Sequence, residues 1–185
     1  MTSELLVVLD ACVLANFSLC DTLLRLAEPP RLYVPKWSEE IIRETTRALE
    51  QKLGWPDSLT AYLEAELRAH FREAWIIGYE SLIPRMTNNE KDRHVLAAAV
   101  HGGAPMIVTF NLRHFRGQAL EPWGVRAVHP QLFLSEVFRQ EPTVVMMKLE
   151  QQAADRGRSL RQLLDILSAT VPDFVKAVSA EISGK

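Results

Sequence analysis

The sequence predicts an α/β protein, a three-layer α/β/α sandwich around a central parallel sheet with a helical carboxyl-terminal extension. Three observations carry that prediction. The runs Leu5-Leu6-Val7-Val8-Leu9 and Met106-Ile107-Val108-Thr109-Phe110 are apolar and β-branched without clean alternation, as strands covered on both faces are. Helical patterns separate the strand candidates, and such alternation is the mark of a parallel sheet. Past Pro130 the strand patterns stop and only helical ones follow. The expected domains are therefore 1–130, the sandwich, and 131–185, the extension.

The first strand ends on Asp10, and Val13, Leu14, Phe17, Leu24 and Leu26 then suggest a helical stripe. Pro29-Pro30 breaks the chain before a short strand candidate, Leu32 to Pro35. Ser38 is a good amino cap for a helix to about Lys52, which Gly54-Trp55-Pro56 stops. A second helix is expected from about Ser58 to Arg72, with Leu59, Leu63 and Leu67 four apart. Trp75 to Tyr79 reads as another strand. An alanine-rich helix spans Asn88 to His101 and closes on Gly102-Gly103, the usual carboxyl-end stop. Val125 to Val128 is a last short strand. In the extension, Leu132 to Phe138, Val144 to Ala154, the segment after the Ser159/Gln162 capping pair, and the segment after Pro172 give four helices.

Composition narrows the classes. At 185 residues and 48% hydrophobic content the chain can bury a real core and is not a disordered one. No stretch approaches the ~18 uninterrupted apolar residues of a membrane span, and the start lacks a basic, cleavable leader. A cytoplasmic location with no membrane contact is expected. The two cysteines, Cys12 and Cys20, form neither a CxxC pair nor a disulfide framework. A formal charge of −2 gives no overall attraction to nucleic acid, so contact with phosphate needs local basic groups or a metal.

Candidate chemistry comes from acids in awkward positions. Asp10 stands where a central strand hands over to a helix, at the end of the sheet where ligands collect in open α/β folds. As a lone residue it reads equally as a helix cap. Glu44 lies three after Ile41 and four before Ala48, on the apolar stripe of its helix. An inward carboxylate is costly without partners, and the competing reading sets Glu44 at the stripe's edge in water. Asp92 precedes Leu96 by four residues and so begins the apolar face of its own helix. Glu90 reads as a helix cap with Thr87 or, alternatively, as an acid at the outer edge of the site. After the strand at 106–110, Asn111 offers an amide oxygen and Thr109 a hydroxyl. Three acids and an amide at one end of a parallel sheet would form an oxygen-lined hole suited to Mg²⁺ or Mn²⁺. Such metals act on phosphates, and the basic cluster Arg113, His114 and Arg116 would attract a nucleic-acid backbone. Lys91 and Arg93 join Arg113 as candidate backbone-positioning residues. His94 and His101, seven apart on one helix, match no zinc pattern and are read as solvent or packing histidines.

The segments LDACVLANF, VPKWSEEIIRETTRAL and NNEKDRHVLAAAVHGGAPMIVTFNLRHF, in this order and spacing, resemble the PIN-domain family. Within it they are similar to the VapC-type toxins of bacterial toxin–antitoxin pairs. The likeness covers about residues 4–130, and the extension resembles more weakly that of one subgroup. It implies a Rossmann-like PIN sandwich and an endoribonuclease that hydrolyses RNA with metal-activated water, leaving 5′-phosphate and 3′-hydroxyl ends. The family's three acids correspond to Asp10, Glu44 and Asp92, and its threonine or serine to Thr109. Its fourth acid falls at Asn111, and the acid often found three residues later is His114. These departures remove negative charge and favour one metal over two. The implied catalytic set is Asp10, Glu44, Asp92 and Asn111, with Asp10, Glu44 and Asp92 as metal ligands and Thr109, Arg113, His114 and Arg93 positioning substrate. The implied partners are RNA, a cognate antitoxin and a second copy in a homodimer. The alternatives are a PIN-fold binding module with little or no catalysis and a PIN nuclease of RNA processing.

Overall fold

The computed structural model describes residues 4–184. In chain order the elements begin with β1 (Leu6–Leu9), α1 (Ala11–Leu14), α2 (Phe17–Leu26), β2 (Val34–Ser38), α3 (Glu39–Leu53) and α4 (Asp57–His70). There follow β3 (Trp75–Ile76), α5 (Arg93–His101), β4 (Met106–Val108), α6 (Gly117–Leu120) and β5 (Arg126–Val128). The last four are α7 (Pro130–Gln140), α8 (Pro142–Asp155), α9 (Leu160–Ser168) and α10 (Pro172–Ser183). By contact the chain forms two compact units. One takes the chain up to Ala15 and then Val34–Val128, and the other takes Asn16–Tyr33 and the chain from His129 onward.

The first unit holds a five-stranded, all-parallel sheet in the order β3-β2-β1-β4-β5, flanked by helices, as the alternating pattern predicts. Val7, Val8 and Leu9 are fully buried in its central strand. The order runs one way from β1 to β3 and then returns past β1 to β4, so β1 and β4 flank the point where direction reverses. In open α/β sheets a crevice forms there, beyond the carboxyl ends of the strands.

Several boundaries differ from the sequence expectation for physical reasons. The stripe from Val13 to Leu26 is two helices, α1 and α2, because Asn16 interrupts it and its side chain accepts from Leu19 N–H at 3.3 Å to cap the second. Strand β2 runs past Pro35 to Ser38. Pro35 pairs with Val7 of β1, whereas β3 meets only Trp37 and Ser38, so the missing N–H faces no partner strand. Strand β3 stops after Ile76, since Ile77 is 80% exposed and Gly78 turns the chain at φ 80°. The helix expected from Asn88 begins as a 3₁₀ turn, Glu90–Asp92, capped by Asn89, whose side chain accepts from Lys91 N–H; Glu90 does not cap it. As expected, Ser38 caps α3 by accepting from Ile41 N–H, and Gly54 ends it with φ 66°.

In the second unit α2 packs on α8, α8 on α9, and α7 on α10. The sequence boundary at 130 separates α2 from these helices along the chain, but buried polar contacts join them. Gln152, 2% exposed, accepts from Thr22 Oγ1 at 2.8 Å and donates to the Ser18 carbonyl at 3.0 Å. Lys148, 5% exposed, donates to the Pro29 carbonyl at 2.9 Å. The Ser159/Gln162 capping box forms as read. Among the described residues, no helix is long and apolar enough to cross a membrane.

Candidate active site

Asp10 follows the last residue of β1, and its N–H donates to the Val108 carbonyl at 3.1 Å, fixing the end of β1 against β4. It holds the cap position of α1, yet its side chain makes no capping bond. Only 2% exposed, the carboxylate needs donors and finds two. Thr109 Oγ1 donates to Oδ2 at 2.6 Å, and Cys12 Sγ donates to the same oxygen at 3.2 Å. Burial, then the charge of Asp10, pushes the Cys12 thiol up to about 12, so the sulfur keeps the proton it donates.

Thr109 is fully buried, and its hydroxyl also accepts from Asn111 N–H at 2.9 Å. It orients Asp10 and holds the turn after β4, out of reach of a ligand. Asn111 is half-buried at the head of the 3₁₀ turn Leu112–His114, where its backbone is engaged.

The two other acids arrive from different helices. Glu44, on α3, lies with Oε1 3.3 Å from Nε2 of His94 on α5. Asp92, at the head of α5, has Oδ2 2.8 Å from Nδ1 of His114. Neither contact has the in-plane alignment of a hydrogen bond, for both His94 nitrogens, His114 Nδ1 and Asp92 Oδ2 are buried without an aligned partner. Each is a close approach of opposite polarity, an ion pair only when the histidine is protonated. Arg113 Nε donates to His114 Nε2 at 3.2 Å, which leaves Nδ1 as the nitrogen bearing hydrogen toward Asp92.

The acids feel one another. Burial raises the pKa of Asp92, the negative charge of Asp10 raises it further, His114 works against both, and Glu44 adds to the rise. Burial works to lower the pKa of His94. Its contact with Glu44 and the charges of Glu44, Glu40 and Asp10 outweigh that, and the net shift is upward. Asp10, Glu44 and Asp92 thus share one electrostatic neighbourhood with His94 and His114. Arg93 donates from Nε to the Asn88 carbonyl at 3.5 Å, and Arg113 is exposed.

His94 is the residue that sequence reasoning missed. Val95 to Ala99 are all buried while His101 is exposed, so the seven-residue spacing grouped His94 with a solvent histidine and hid its contact with Glu44.

A relative of this chain bears on what such a cluster does. Over 104 residues the two are 40% identical, a stretch that is 55% of this chain and 62% of the relative. The relative is the "Putative ribonuclease VapC50" of Mycobacterium tuberculosis (strain ATCC 25618 / H37Rv). The match thus spans less than two thirds of VapC50. No family model matches the chain, and no solved structure matches it significantly.

The donor chemistry can be weighed against a metal. Carboxylate oxygens are hard ligands, and a cation at Asp92 Oδ2 would have to share that oxygen with His114 Nδ1, 2.8 Å away. Among the described residues, no three His, Cys, Asp or Glu side chains are gathered closely enough to enclose a metal. The set suits a cation that keeps most of its waters and takes one or two carboxylates, as Mg²⁺ does.

Proposed function

We propose that this chain is a divalent-metal-dependent endoribonuclease, the toxin of a toxin–antitoxin pair. The reading is supported by Asp10 at the end of β1 and Asp92 at the head of α5, whose pKa is raised by burial first, then by the charge of Asp10, with a lesser contribution from Glu44 of α3. Like charges held together in a partly dry site call for a cation. The 40% identity to a ribonuclease-named relative supports RNA as the substrate.

Asp10, Glu44 and Asp92 are the residues that would hold Mg²⁺ or Mn²⁺. The metal supplies charge neutralisation at the scissile phosphate and a more acidic water. The chain's own groups set the stage. Thr109 and Cys12 fix the rotamer of Asp10, and His114 steers the Asp92 carboxylate. His94, drawn toward its protonated form by Glu44, holds that acid and can share a proton with it. Arg113 presents a guanidinium to the RNA backbone. The same acidic site would accept an arginine from an antitoxin.

The test is Mn²⁺-stimulated cleavage of RNA by purified protein. Asp10→Asn and Asp92→Asn should each abolish it, and unchanged cleavage in both would reject the site. A second reading, a module that binds without cutting, is favoured by the two histidines already paired with Glu44 and Asp92. Growth arrest on expression together with metal-dependent thermal stabilisation separates the nuclease from it.

A further inference from the structure

A second concave feature of the first unit lies between residues 87–89 and the turn at 112–116. It is a cavity of about 300 Å³, lined by Asn88, Asn89, Arg113, His114 and Arg116. Its two walls are tied together, since Asn89 N–H donates to the His114 carbonyl at 3.1 Å. The Asn89 side chain is spent on Lys91 N–H. Asn88 differs. It is 6% exposed, yet neither its side-chain oxygen nor its nitrogen has a hydrogen-bond partner.

A buried amide with both ends unmet is rare and costs the fold stability. Such a group offers a donor and an acceptor side by side, which is the complement of a nucleobase edge. On the same wall Arg113 and Arg116 are exposed, and guanidinium forks match phosphate oxygens. His114 joins the cavity to the acids, because it lines the one and stands 2.8 Å from Asp92 of the other. The volume is at the small end of the ~300–1,000 Å³ of ligand pockets, room for one splayed nucleotide and none for a duplex.

We propose that this cavity is a base-selective subsite for one unstacked nucleotide of single-stranded RNA, with Asn88 reading the base edge and Arg113 and Arg116 holding its phosphate. The ligand class rests on the ribonuclease reading, and the subsite adds to it the residue that chooses the base beside the cut.

The experiment uses the full chain carrying Asp10→Asn, so that bound RNA survives. It is titrated with the four nucleoside 5′-monophosphates and with single-stranded RNA oligomers that differ at one base. One base should be preferred by roughly 5-fold to 100-fold, the discrimination of one good bidentate contact. Asn88→Leu, which keeps the bulk and removes the amide, should erase the preference while the protein unfolds at the same temperature or higher. Arg116→Ala should weaken all four alike and lessen the dependence on salt. Equal affinity for the four bases, no binding by any of them at millimolar concentrations, or a preference that Asn88→Leu leaves intact would each overturn the subsite. Selective binding through Asn88 by a wild-type chain that never cleaves RNA with Mn²⁺ would instead overturn the ribonuclease reading and leave the subsite standing.

Discussion

Replacing Thr109 with Val keeps the shape of a fully buried side chain and removes one hydroxyl. That hydroxyl donates to the Asp10 carboxylate at 2.6 Å and accepts from Asn111 N–H at 2.9 Å. A hydrogen bond to a buried charge is worth about 1.5–3 kcal/mol, and the lost acceptor for the backbone N–H adds about 0.5–1.5. The two share an atom and do not add fully, so the expected cost is about 2–4 kcal/mol. For a chain of this size, each kcal/mol lowers the melting temperature by about 2–4 °C, which makes a fall of roughly 5–15 °C. Cleavage should fall as well, because Asp10 loses the group that holds its rotamer. Thr109→Ser, which restores the hydroxyl, should recover most of both. Thermal unfolding of the three proteins and their Mn²⁺-stimulated RNA cleavage give the answer. A Val variant within about 0.5 kcal/mol of wild type, with cleavage intact, would refute the role given to this bond.

Other consequences are as specific. At Gly54, with φ 66° and no atom within 4 Å of an added Cβ, Gly54→Ala costs only backbone strain. Urea denaturation should show a loss of about 1–2 kcal/mol. Burial lowers the His129 pKa below its ordinary 6.5, and Nδ1 caps α7 by accepting from Gln131 N–H at 3.2 Å only while unprotonated. The stability from this cap is present above 6.5 and lost as pH falls through the lowered value. His129→Asn, a cap that does not titrate, should therefore gain on wild type as pH falls below 6.5 in parallel urea titrations. Asn88→Leu removes an unmet buried amide and should raise stability by about 1–3 kcal/mol in the same assay, whereas a loss of that size would show that the amide is satisfied in solution.

What could be read along the chain was what local pattern encodes. Strands β1 and β4 are apolar runs, and Asp10 stands out because a carboxylate ends such a run. Helical phase marked Asp92 as an inward acid and left Glu44 between the apolar stripe and its edge; the Glu44 side chain is 35% exposed, and each acid lies beside a histidine. Pattern fails where a partner is distant or a segment has no period. Glu44 and His94 belong to different helices, and His94 shares its face with the exposed His101, so phase along α5 did not reveal the contact. Asn88 lies before a 3₁₀ turn in irregular chain, where neither strand nor helix period applies. Pro35 hid the continuation of β2, because a proline in a strand is tolerated only where the neighbouring strand is missing, and that is a property of the sheet. Lys148 and Gln152 lie within the expected helix Val144 to Ala154, but nothing in its pattern shows that they are buried against Pro29, Ser18 and Thr22 and so draw residues 16–33 to the carboxyl-terminal helices.

The central claim, that the three acids exist to hold a hard divalent cation, is met most directly by Mn²⁺ binding itself, titrated by electron paramagnetic resonance without RNA. The account predicts a site in the wild-type chain that weakens by at least roughly tenfold in Asp10→Asn and in Asp92→Asn, each variant remaining folded. Mn²⁺ bound equally by all three proteins, or by none of them, would contradict it.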